Sequence, residues 1–183
     1  MAELRLLRSP PRPLTPDEEC LEAFQRELDY IYQSLRRLGT PRSELDDLAQ
    51  EVFLALRQNW IDYDRGRPLR PYLFGISFRI SAASQRKRRR EVAFGVVEPD
   101  DGNPGPDEVL QTKQIRGQVL AALELIPLKR RAILVMHDLD DVPARDIATA
   151  LSIPLFTVYS RLRKARRELE AGLRRAKRGG GVR

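Results

Sequence analysis

Apolar residues recur along this chain at helical spacing. Leu21, Phe24, Leu28, Ile31 and Leu35 follow one another at steps of three and four, and Leu45, Leu48, Val52 and Leu56 repeat the pattern. That period marks helices with one buried stripe. Thr15 or Asp17 suits the N-cap of the first helix and Gly39 its C-cap, and the second begins around Pro41 to Ser43. A third helix, Tyr72 to Arg90, turns Leu73, Ile76, Ile80 and Ala83 inward. Thr112 to Ile126 is helical through Ile115, Val119, Leu123 and Ile126. Pro127 opens another helix reaching about Met136, with Ile133, Leu134 and Met136 available for burial. Ala144 to Leu151 forms a short helix with Ile147, Ala148 and Leu151 on one side, capped by Asp140 or Asp141 and with Pro143 in its first turn. Ser152-Ile153-Pro154 interrupts it, and Val158, Leu162, Ala165 and Leu169 then recur at i, i+4, i+7 and i+11. The fold class predicted is all-α.

Between these helices, Glu91 to Gln111 holds Pro99, Asp100, Asp101, Gly102, Pro104, Gly105, Pro106 and Asp107. This acidic, helix-breaking composition predicts a flexible linker between small domains at residues 17–90 and 112–175. Met1 to Pro16, rich in Pro and Arg without a period, reads as a flexible lead-in, and the basic tail after Leu173, ending near three glycines, reads as mobile. Domains of fewer than about 80 residues bury modest cores, so docking on a larger partner would add order.

Charge narrows the partner. A net charge of +7 and a pI near 10.0 favour a polyanion, although an anionic membrane satisfies charge alone. No apolar run approaches the roughly 18 residues of a membrane span, and Leu4 to Leu14 has no signal-peptide core, so the expected location is cytoplasmic. A single cysteine, Cys20, excludes an internal disulfide, and with a single histidine, His137, it leaves no Cys/His zinc cluster. No cofactor is expected.

Position decides the rest. The last apolar stripe leaves Tyr159, Ser160, Arg163, Lys164, Arg166 and Arg167 on the other face, a row of base-edge donors and phosphate-binding cations. Alone this is an Arg-rich surface helix. Preceded by a short helix and a tight turn, it is the second helix of a helix-turn-helix, the element that enters a major groove. The second helix of the chain presents Asp47, Gln50 and Glu51 opposite its stripe, with Leu54 beside them. Such a face is ordinarily just solvated. Carboxylates at i and i+4 also suggest a cation site, but no second acidic helix supplies the further oxygens a hard cation needs. Trp60 to Arg70 mixes aromatic and basic side chains with Gly66 and Pro68, a loop suited equally to single-stranded nucleic acid and to plain surface. The helix after it sets Tyr72, Arg79 and Arg86 on one side and ends in Gln85-Arg86-Lys87-Arg88-Arg89-Arg90, a cationic terminus for backbone phosphate.

Leu125-Ile126-Pro127, Arg131, Asp146-Ile147-Ala148, Thr157-Val158, Ser160-Arg161-Leu162 and Lys164-Ala165-Arg166 together resemble the carboxy-terminal domain of bacterial extracytoplasmic-function sigma factors. Asp46-Asp47-Leu48-Ala49-Gln50-Glu51-Val52-Phe53-Leu54-Ala55-Leu56 is similar to the helix by which that family docks on the clamp coiled coil of RNA polymerase. Tyr72-Leu73-Phe74-Gly75-Ile76 resembles the family's Trp-Leu-Phe-Arg-Ile pattern. The resemblance spans roughly Phe24 to Leu173 and implies an alternative sigma factor with no catalytic residues. By it, Asp47, Gln50 and Glu51 contact the clamp of the beta-prime subunit. Tyr63, Arg65, Arg67, Arg70, Tyr72, Arg79 and Arg86 meet the melted minus-10 element. Thr157, Tyr159, Ser160, Arg161, Arg163, Lys164, Arg166 and Arg167 meet the minus-35 duplex. It also implies an anti-sigma factor as a partner. Three residues depart from the pattern: Ser152 and Phe156 stand where the family has turn glycines, and Arg79 where it commonly has Asn. The rival readings are a stand-alone helix-turn-helix regulator, for which no dimer heptad is visible, and a DNA-cleaving enzyme, for which no metal ligands or nucleophile with a base are visible.

Overall fold

A computed structural model of the chain describes residues 14–93 and 110–179, and within them eight α-helices and no strand. Most of the predicted linker, most of the lead-in and the last four residues lie outside the described residues. The helices are α1 (Pro16–Arg26), α2 (Leu28–Arg37), α3 (Leu45–Gln58), α4 (Leu69–Ala93), α5 (Leu110–Glu124), α6 (Leu128–Leu134), α7 (Ala144–Ala150) and α8 (Leu155–Gly179). Helix therefore occupies 91–93 and 110–111, at both ends of the predicted linker, and α8 runs on through a stretch expected to be mobile.

The first predicted helix is two. Thr15 caps α1 through a reciprocal capping box with Glu18, but at Glu27 the backbone leaves helical geometry (φ −102°, ψ 9°). The break changes the phase of the stripe: α1 buries Cys20 and Ala23, and Leu21, expected inside, is exposed. Gly39 ends α2 in the left-handed region at φ +87°, where the Thr40 amide donates to the Leu35 carbonyl and the C-terminal carbonyls find donors. After a single 3₁₀ turn at Arg42–Glu44, α3 buries Leu45, Leu48, Val52 and Leu56 as its spacing predicts. Two further inward assignments are overturned: Ala83 on α4 and Ile115 on α5 are exposed, Ile115 by 65%.

Two apolar clusters result. One joins α1 to α4 through Cys20, Ala23, Ile31, Leu35, the α3 stripe, Trp60, Tyr63, Leu73 and Ile76. The other is built mainly from α5 to α8, with Leu123, Ile126, Ile133, Leu134, Met136, Ile147, Val158, Leu162 and Ala165, yet Leu38 and Phe74 belong to it as well. The two halves thus share apolar packing. On α4, Gly75 lies against α7, where a Cβ would stand 2.6 Å from the Ala150 carbonyl oxygen. Only a residue without a side chain permits that approach.

A polar contact accompanies this seam. Tyr30 Oη donates to Asp140 Oδ2 at 3.0 Å and Arg37 Nη1 to Asp140 Oδ1 at 2.6 Å. Burial holds the Asp140 carboxyl above its ordinary range despite these donors, and it raises the Tyr30 phenol strongly. Asp140 is therefore not the cap of α7. Neither is Asp141, which takes φ +52°; Pro143 precedes the helix without a side-chain cap, and its carbonyl accepts from Asp146 and Ile147. Arg131 is buried, donating from Nη2 to the Glu124 carbonyl at 2.7 Å and from Nε to that of Ile126 at 3.2 Å, which fastens the end of α5 to α6.

Candidate nucleic-acid interface

α7, the turn and α8 form the predicted helix pair. Ser152 makes the turn in the left-handed region at φ +53°, so one position needs glycine-like freedom and a serine supplies it; Phe156 lies inside α8. The stripe of α8 is buried at Val158, Leu162 and Ala165 and partly buried at Leu169, against the second cluster. Tyr159, Ser160, Arg163, Lys164, Arg166 and Arg167 are all exposed, and Thr157 and Arg161 are half-buried at the margins of that face.

The face is not uniform. Arg163, Lys164 and Arg167 have no ion-pair partner among the described residues. Arg166 makes a two-pronged contact with Asp138, Nε to Oδ2 at 2.8 Å and Nη2 to Oδ1 at 2.7 Å, and this pairing holds the Asp138 carboxyl below its ordinary range. Behind the face, Arg130 holds Glu168 in the same manner, Nε at 2.9 Å and Nη2 at 2.7 Å, tying α6 to α8. Sequence reasoning passed over Phe156 as a surface residue. It is 74% exposed, three residues before Tyr159, and that spacing was its available signal.

The acidic side of α3 stands as predicted. Asp47, Gln50 and Glu51 are exposed, and neither carboxylate has an ion-pair partner among the described residues; Leu54 beside them is exposed by 48%. Asp46, one residue away, accepts from Tyr32 Oη at 2.6 Å and so braces α3 on α2. Among the described residues no group of three or more His, Cys, Asp or Glu could hold a metal ion.

The loop from Trp60 to α4 differs from expectation. Tyr63, predicted to meet unpaired bases, is only 9% exposed: its ring lies 5.6 Å from that of Trp60 and 4.8 Å from that of Tyr72, and its hydroxyl donates to the Arg67 carbonyl at 2.6 Å. The physical reason is core formation, since three rings in a row cover the end of α3. The Trp60 indole N–H is buried without an acceptor. Arg65 stacks on Trp60 and pairs with Glu19 at 3.1 Å, Arg67 pairs with Asp64 at 3.3 Å, and Arg70, already in α4, pairs with Glu27 at 2.7 Å and lies over Tyr30. Tyr72 is half-buried, whereas Arg79 and Arg86 are exposed on α4 without an ion-pair partner among the described residues.

An all-α chain that ends in a helix-turn-helix with a cationic second helix, and carries a separate acidic helix face, has the form of a DNA-binding transcription protein. The family profiles agree: Sigma-70 region 2 matches residues 23–91 and Sigma-70 region 4 matches residues 116–169. The chain is 27% identical over 156 residues to RNA polymerase sigma factor NccH of Alcaligenes xylosoxydans xylosoxydans, covering 82% of this chain and 84% of that one. It is 31% identical over 134 residues to ECF RNA polymerase sigma factor EcfG of Rhodopseudomonas palustris, covering 69% of each. Its fold matches that of the sigma factor RpoE in complex with the anti-sigma factor NepR from Bartonella quintana, with TM-score 0.65 and 23% identity over 84% of this chain and 98% of that one. The chain belongs to the extracytoplasmic-function sigma factors of the sigma-70 family. Its function is that of an alternative sigma factor in transcription initiation. Among the described residues no helix is long and apolar enough to cross a membrane.

Proposed function

We propose that the chain joins RNA polymerase core through Asp47, Gln50 and Glu51 on α3, sets α8 in the major groove of the upstream promoter element, and meets the downstream element along α4. In this reading residues 17–90 serve the polymerase and the downstream element, residues 112–175 serve the upstream one, and bond-making belongs to the polymerase. The observation that carries it is the coexistence of two unpaired faces of opposite sign. α8 exposes Tyr159, Ser160, Arg163, Lys164 and Arg167 above a buried stripe, which suits base edges and phosphate, while α3 exposes two unpaired carboxylates, which suit a basic partner surface. On α4, Arg79 and Arg86 support the downstream contact better than Tyr63 does, since that ring is in the core. An anti-sigma factor is a further partner, by analogy with the complex of the Bartonella sigma factor with NepR.

The test is reconstitution. Purified chain and core polymerase should copurify and initiate from promoters selected out of a randomised library. Asp47→Lys and Glu51→Lys should each weaken core binding while shifting stability by under about 0.5 kcal/mol, as exposed substitutions usually do. Undiminished core binding by both variants, with native helicity, would remove α3 as the docking element.

A further inference from the structure

We propose that Phe156, with Tyr159 one turn later, reads the methyl groups of thymine in the upstream duplex. The inference rests on the proposed placement of α8 in the major groove and deepens it by naming a base.

Phe156 is the second residue of α8, and the first turn of a recognition helix is the part that comes closest to base edges. Its ring plays no part in holding the fold: Val158 is buried and Leu155 half-buried, whereas Phe156 is 74% exposed. The turn does not require it either, since the left-handed position is Ser152. A single exposed apolar residue is commonplace. This one sits on the same helical face as Tyr159, itself 56% exposed, Ser160 and Arg163, at i+3, i+4 and i+7. Arg163, Lys164 and Arg167 lie on the same open side of α8, so an apolar surface or a basic protein is a poor occupant and a polyanion a good one.

Within a major groove the chemistry is restrictive. A phenyl ring has no donor or acceptor, and the one apolar group on the base edges there is the C5 methyl of thymine. Set against an exocyclic amine or carbonyl, the ring would strip water from a polar group and return no hydrogen bond, which disfavours cytosine, guanine and adenine edges. Phe156 therefore selects by attraction to the methyl and by penalty against the rest. Tyr159 extends the apolar contact and adds a hydroxyl for an adjoining edge.

The test uses holoenzyme assembled from core polymerase and the full chain. Promoters are selected from a library randomised through the upstream element, and each enriched thymine is then replaced by deoxyuridine, which lacks only the methyl group. The expected result is enrichment of thymine at one or two adjacent positions, with deoxyuridine there weakening wild-type binding about fourfold, the worth of one buried methyl-sized group. Phe156→Ala should bring the thymine-to-uracil ratio close to one, and Phe156→Leu, which keeps an apolar group, should retain part of it. Far-UV circular dichroism should be unchanged in both. Equal binding of thymine and deoxyuridine by the wild type would overturn the proposal. So would an undiminished ratio in Phe156→Ala, or a Phe156→Ala defect confined to capture of a protein partner. Failure of the groove placement looks different: the wild-type holoenzyme then enriches no upstream sequence at all, and the inference falls with it.

Discussion

The loop between α3 and α4 and the exposed face of α8 are both rich in arginine and aromatic rings, yet the fold treats them in opposite ways. In and just after the loop, Arg65, Arg67 and Arg70 are paired with Glu19, Asp64 and Glu27 at 3.1, 3.3 and 2.7 Å, and Trp60 and Tyr63 are core residues. On α8, Arg163, Lys164 and Arg167 have no carboxylate partner among the described residues, and Phe156 and Tyr159 stand out from the surface. Exposed ion pairs contribute only about 0–1 kcal/mol, so the loop cations are not locked. Their charge is nevertheless already partly compensated by a carboxylate, whereas the cations on α8 gain a counter-charge outright. Composition identifies groups able to bind DNA; the pairing inside the fold decides which are available.

The largest test of that difference is Tyr63→Ala. Deleting a ring packed between Trp60 and Tyr72 should cost about 3–5 kcal/mol, read from the midpoint of denaturant unfolding. Tyr63→Phe, which removes only the hydroxyl donating to the Arg67 carbonyl, should cost about 1 kcal/mol. If Tyr63→Ala instead kept full stability and lost promoter melting, the ring would be a base-stacking surface and the contrast would collapse.

Next comes a matched pair of arginines. Arg163→Ala should cost about 1–3 kcal/mol at the preferred upstream sequence and relax preference at one base position. Arg65→Ala should leave both the base preference and the dependence of affinity on salt unchanged, because that guanidinium stacks on Trp60 and pairs with Glu19. Binding over a panel of upstream sequences and salt concentrations separates the two, and equal effects would erase the distinction drawn between loop and helix.

These contrasts mark where local pattern suffices and where it does not. The stripes of α3 and α8 were legible because each helix buries one side only, so spacing alone selects Leu48, Val52 and Leu56, or Val158, Leu162 and Ala165. The acidic face of α3 follows by subtraction. Leu21 was misassigned because the break at Glu27 resets the phase of α1, a change carried by one residue's dihedrals and by no breaker in the sequence. Asp140 reads locally as a helix cap and serves instead as acceptor for Tyr30 and Arg37, residues 110 and 103 positions away. Gly75 sits mid-helix, where glycine is ordinarily unfavourable, and is explained only by the Ala150 carbonyl of a helix far along the chain. Asp140 and Gly75 escape local pattern because their partners are distant in sequence. The loop aromatics failed for a different reason: their stacking partners are local, but nothing in Trp-Ile-Asp-Tyr tells a stacked core from a stacking platform.

The finest test concerns the cation on α8 that resembles the loop arginines. Arg166 is held by both oxygens of Asp138, which also accepts from His137 Nδ1 at 2.7 Å. The Asp138 carboxyl lies below its ordinary value of 3.8, chiefly through the Arg166 hydrogen bonds. A carboxylate whose folded pKa is depressed stabilises the fold fully above its unfolded pKa and loses that contribution as pH falls through the folded one. The pair is therefore intact throughout neutral and mildly acidic pH and breaks only below pH 3.8, too acidic for a DNA-binding assay to use as the switch. Asp138→Asn does the same work at neutral pH. It leaves the side-chain shape nearly unchanged but removes the charge that holds the guanidinium, at a stability cost under about 1 kcal/mol for so exposed a pair. If α8 lies against the duplex, the released Arg166 can take a phosphate, and the logarithmic salt slope of binding should steepen by about 0.9 with no change in base preference. An unchanged slope would mean that Arg166 faces away from DNA or already contacts it from within the Asp138 pair, and Arg166→Ala in the same assay tells these apart: it flattens the slope only in the second case.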